Sequence, residues 1–142
     1  MTQDKATTSI DKINDFLKRF GDKQGVSFRP LDDMGHTIVK KGSATVGINV
    51  LTKQRVLIFL AYILDVPEVK THELYRKLLE LNFLETADGC FAIDKKTNKV
   101  YLRALRGLDG LDYEEFTDIL DTVASVADKW DDLLREEFGA KQ

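Results

Sequence analysis

The sequence predicts an α+β fold, one domain spanning residues 1–142, with an antiparallel sheet packed against helices in the order α-β-β-β-α-β-β-α. Three observations carry this. Residues 36–67 hold strand-like runs separated by short polar turns. A second pair of strand-like runs flanks the polar tetrapeptide "KKTN". The last part of the chain repeats apolar residues at helical spacing for about seven turns. A chain of 142 residues is one ordinary domain and needs no disulfide or metal to hold its core.

The first helix is predicted from Asp4 to Phe20, because Ile10, Ile13, Leu17 and Phe20 recur at helical spacing with Phe16 on the flank. Gly21 and Gly25 close it. "VSFRPLDDMG" is extended or turn-like. "HTIVKKG" is a short strand. In "SATVGINVLT", Val46, Ile48 and Val50 point one way and Thr45, Gly47, Asn49 and Leu51 the other. "RVLIFLAYILDVP" is so uniformly bulky and apolar that it is expected at the centre of the sheet, covered on both faces. Pro67 ends it. The short gaps predict an antiparallel meander.

A second helix is predicted from Thr71 to Phe83. Leu74, Leu78 and Leu81 form one stripe, and Tyr75 and Leu79 lie about 100° further round. That arc is too broad for one contact, so its second half needs the sheet or another subunit. "GCFAID" and "KVYLRAL" then form a hairpin around "KKTN", in which Asn98 tolerates positive φ and Asp94 accepts from loop amides. A calcium loop would need oxygen ligands where the lysines stand. The final helix is predicted from Asp112 to Phe138, with Asp112 as N-cap and Glu115 three residues on.

Hydrophobic residues are 43% and charged residues 32% of the chain, the balance of a soluble globular protein. The net charge is −3, but residues 112–138 hold ten acids against two bases, a net −8, so the remainder carries +5. Without a basic cluster the chain is a poor binder of a nucleic-acid backbone. "VLIFLAYIL" is too short to span a bilayer as a helix, and the N-terminus does not read as a signal peptide. A soluble, cytoplasmic protein without a nucleic-acid or membrane partner is expected.

No residue volunteers for catalysis. Cys90 is the only thiol, so no internal disulfide forms, and neither His36 nor His72 stands beside it in sequence. His36, His72 and Cys90 lack the pair spacing of a metal site. There is no GxSxG, no phosphate-cradling glycine loop and no HExxH. Cys90 reads as a small hydrophobe in a strand.

The helix ending "LLELNF", the hairpin "GCFAIDKKTNKVYL", the link "LDGLDYEEF" and the final "VASVADKW" together resemble the CesT/YbjN-like superfamily, which includes the class I type III secretion chaperones. The likeness spans roughly Ala44 to Leu134 and rests on packing and turn residues. It implies a non-enzymatic homodimer without a cofactor, holding an extended segment of a client protein across apolar patches on the first helix and sheet. On this chain the client patch falls on Ile13, Phe16, Leu17 and Phe20. The dimer interface falls on the second helix and the strand beside it, at Leu74, Tyr75, Leu78, Leu79 and Phe91. The competing reading is a ligand-binding or enzymatic domain with a pocket between sheet and long helix. Where the apolar excess lies separates them: one cavity in the first case, surface patches in the second.

Overall fold

The computed structural model describes residues 2–139, with side chains described from Ser9 onward. Met1 and residues 140–142 of the predicted domain lie outside the described residues. The element order is α1 (Thr2–Gln24), β1 (His36–Lys41), β2 (Ala44–Leu51), β3 (Val56–Asp65), α2 (Thr71–Leu84), β4 (Cys90–Asp94), β5 (Lys99–Gly107) and α3 (Tyr113–Phe138). This is the predicted α+β order.

The five strands form one antiparallel sheet in the order β1-β2-β3-β5-β4. The turns supply the conformations their residues allow. Gly42 (φ 62°) lies in the tight β1–β2 turn, and Asn98 (φ 56°) closes the β4–β5 loop. In that loop Lys96 N–H donates to Asp94 Oδ1 at 3.0 Å, and Asn98 N–H to the Asp94 carbonyl at 2.7 Å. At the head of α3, Glu115 N–H donates to Asp112 Oδ1 at 2.8 Å, which satisfies one of the free amides of the first turn.

The core lies on one face of the sheet. Leu57, Phe59, Ala61 and Ile63 of β3 are buried there against α3, whose Phe116, Leu120 and Val123 have no exposed surface. α1 packs on α3, with the Phe16 ring 5.5 Å from Phe116 and Phe116 in turn 5.8 Å from Phe59. α2 sits against β4, burying Leu74, Leu78 and Leu81.

Two expectations change. α1 does not stop at Phe20: it runs through Gly21 to Gln24 and ends at Gly25 (φ 71°), where Val26 N–H turns back to the Gly21 carbonyl at 2.9 Å. And β3, though central, is buried on one face only. Ile58 and Leu60 are half-buried and Tyr62 is exposed. The buried stripes of the helices pack on the other side, and among the described residues this face is left open.

Candidate interaction surfaces

The first surface is that uncovered face of the sheet. Antiparallel register puts directly opposed residues on the same side. Leu60 therefore stands between Gly47 of β2 and Arg103 of β5, with Ile38 beyond Gly47 and Cys90 beyond Arg103. Two residues along, at the next pair on this face, Tyr62 meets Tyr101 edge to face at 5.9 Å. All of these but Cys90 line an open groove of about 610 Å³. The pairing of β2 with β3 ends at Val46 and Ala61, and at that end Ala127, Asp131 and Arg135 of α3 complete the wall. Arg135 Nε donates to the Ile63 carbonyl at 2.6 Å, at the irregularity where β3 slips register between Tyr62 and Leu64.

The rim beside Tyr62 is electrostatically locked. Asp65 Oδ1 accepts from Lys99 Nζ at 2.7 Å and from the Tyr62 hydroxyl at 2.8 Å. The Lys99 hydrogen bond, then that of Tyr62, holds the Asp65 carboxyl below its ordinary range. Burial, helped by Asp65, pushes the Tyr62 phenol up. Burial also raises the Asp131 carboxyl.

The second surface is the outer side of α2. Leu79 is 70% exposed and Phe83, one turn on, 79% exposed; Leu84 beside it is 83% exposed. Half-buried Tyr75 continues the line one turn earlier. Large apolar side chains at i, i+4 and i+8 make a continuous stripe on a helix.

The residues named from sequence divide between core and surface. Leu74, Leu78 and Phe91 are buried within the chain, whereas Tyr75 and Leu79 remain on the α2 stripe. Ile13, Phe16, Leu17 and Phe20 are all buried in the chain's own core in this conformation. Their stripe is spent on the chain's own core. Phe83 and Leu84 were missed, although Phe83 stands four residues after Leu79 and the same spacing would have found it. The sheet groove was missed because a uniformly apolar β3 carries no mark of an open side.

Cys90 is half-buried on β4, and His36 lies on β1 at the opposite edge of the sheet. Four strand spacings, about 19 Å, keep the thiol from that imidazole. His72 opens α2, with its ring against Tyr75. Among the described residues no group of three His, Cys, Asp or Glu side chains is placed to hold a metal ion, and no helix is long and apolar enough to cross a membrane.

The model of the Tir chaperone protein (CesT) family matches residues 15–131, from within α1 to within α3. This chain belongs to the CesT family. Its fold is shared by several solved chains. The structure of the ExsC–ExsE complex contains a chain 25% identical, with a TM-score of 0.71 over 88% of this chain and 95% of that one. A chain of the heterodimeric ExoU–SpcU complex from the type III secretion system of Pseudomonas aeruginosa is 16% identical (TM-score 0.65, covering 85% and 96%). YbjN from E. coli is 15% identical (TM-score 0.55, covering 80% and 87%). At those lower identities the likeness is one of fold. A comparison with curated proteins gives no match. The CesT match thus takes in the latter part of α1, the whole sheet, α2 and most of α3, and so includes the elements that shape both apolar surfaces.

Proposed function

We propose that this CesT-family chain is a non-enzymatic chaperone or adaptor that works as a homodimer and holds an extended segment of a client protein. One observation carries the reading: a small domain with a well-filled core still leaves two separate apolar surfaces open. Surfaces of this kind mark interaction sites. The α2 stripe suits a twofold contact. It is short and self-complementary in chemistry, and a second copy would cover Leu79 and Phe83 with their own counterparts. The sheet groove suits an extended chain. The likeness to chains solved in complexes such as ExsC–ExsE supports a protein client. Under the first half of α3 there is no room for a ligand, since Phe59, Phe116 and Leu120 are packed there with no exposed surface.

A photo-crosslinking amino acid placed at position 79 or at position 38 tests both halves in the cell that makes the protein. At position 79 the expected product is a self-adduct of about 32 kDa, twice the 16.1 kDa chain. At position 38 it is an adduct with a different protein. Sedimentation should show a dimer for the wild type and a monomer for Leu79→Asp, which would bury an unpaired carboxylate in each subunit. A wild type that sediments as a monomer at micromolar concentration overturns the dimer. Absence of any heterologous adduct at position 38 overturns client holding on the sheet.

A further inference from the structure

We propose that the client segment held on the open face of the sheet carries a carboxylate, and that Arg103 is the group that reads it. This rests on the client-holding reading and adds the chemistry of the client. The warrant is a cation left unmatched in an apolar floor. β5 carries two arginines. Arg106, on the other face, has Asp88 at 3.5 Å. Arg103, half-buried on the groove side, has no ion pair or hydrogen bond to any described residue. Its neighbours across the strands are Leu60 and Cys90, with Gly47 and Ile38 beyond. None of them can serve as its counter-charge.

Neither of the two acids that line the groove is within ion-pair distance of Arg103, and both accept from backbone amides. Asp94 lies at the hairpin end of β4 opposite Lys99, four residues along β5 from Arg103, a strand distance of about 14 Å. That exceeds the screening length of about 8–10 Å at ordinary salt. Asp94 Oδ1 accepts from Lys96 N–H at 3.0 Å, and Asp131 Oδ1 from Asp132 N–H at 2.7 Å. Among the described residues the Arg103 guanidinium thus has no ion-pair or hydrogen-bond partner and stands open to solvent on the groove side.

A client laid on the groove displaces that solvent. With an apolar group over Arg103, the complex holds a desolvated, unpaired charge, which is costly. A basic group adds repulsion. A carboxylate restores the lost hydrogen bonds with the two-pronged geometry a guanidinium offers. Gly47 helps the approach: it leaves a dip beside Leu60, where an added Cβ would sit 3.4 Å from His36 Nε2. Apolar contacts on Ile38 and Leu60 then supply area, and Arg103 fixes register and charge.

The test uses the full-length protein and three fluorescent synthetic peptides of alternating valine and serine. They differ only at the centre, which is glutamate, glutamine or lysine. Fluorescence anisotropy should rank them glutamate, glutamine, lysine, with about tenfold or more between the first two, the size of a charge-assisted hydrogen bond. Arg103→Leu should erase the glutamate preference, and Arg103→Glu should make the lysine peptide the best binder. Circular dichroism checks that both variants stay folded. Equal binding of all three peptides, or a glutamate preference that survives Arg103→Leu, overturns the carboxylate and leaves client holding intact. Binding of none of them also overturns this proposal. Client holding itself is judged separately, by the adduct at position 38.

Discussion

The side-chain amide of Asn82 on α2 takes both main-chain groups of Phe91 on β4: its Oδ1 accepts from Phe91 N–H at 2.8 Å, and its Nδ2 donates to the Phe91 carbonyl at 3.3 Å. A single amide thus stands in for the next strand at the edge of the sheet. It also ties the helix with the exposed stripe to the strand beneath it. An unguarded edge is a template for unwanted pairing.

Asn82→Ala should therefore destabilise the chain by about 1–3 kcal/mol, the cost of leaving partly buried backbone groups without partners. Urea unfolding measures this. A loss below about 0.5 kcal/mol would mean that water replaces the amide fully.

Phe16→Asp should abolish cooperative melting. The Phe16 ring is 7% exposed and lies 5.8 Å from Tyr113 and 5.5 Å from Phe116. Losing a buried phenylalanine costs about 3–5 kcal/mol, and a charge left in its place adds to that. A folded Phe16→Asp protein that only loses its client would return this position to the surface reading that its spacing first suggested.

Gly21→Ala should destabilise, although the same change stabilises most exposed helix interiors by about 0.5–1 kcal/mol. An added Cβ would lie 2.6 Å from the Val26 carbonyl oxygen, which is backbone and cannot swing aside. A loss of about 1–3 kcal/mol in thermal or urea unfolding is expected. A gain would show that the turn after α1 can open at little cost.

Asp65→Asn and Asp131→Asn should move the melting temperature in opposite directions at neutral pH. Lys99 and Tyr62 depress the Asp65 carboxyl. Its contribution is present above the unfolded-state pKa and is lost as pH falls through the lower folded value. Asp65→Asn should thus lower the melting temperature at pH 7. Burial raises the Asp131 carboxyl, so stability is full below its unfolded pKa and falls as pH rises through the folded value. Asp131→Asn should raise the melting temperature at pH 7. Both differences should shrink in acid, where both carboxyls are protonated. Thermal scans at the two pH values check the signs.

The sequence by itself determined the α+β class, the order of all eight elements and the hairpin chemistry at Asp94 and Asn98. Those follow from the period of the apolar pattern and from turn residues, which act over a few positions along the chain. It also marked Leu79 as a side chain in search of cover. What only the tertiary structure decided was which apolar stripes are used up. Ile13, Phe16, Leu17 and Phe20 look as free as Leu79 does when read along the chain, yet α3 and the sheet bury them. β3 looks as if it should be covered twice, yet all three helices gather on one side. Burial is a property of surfaces meeting from distant parts of the chain, and spacing within one element reports only that a face is apolar. Arg103 shows the same limit for charge. Its type and strand position are plain in the sequence, but that it makes no ion pair with any described residue depends on how the other strands are placed.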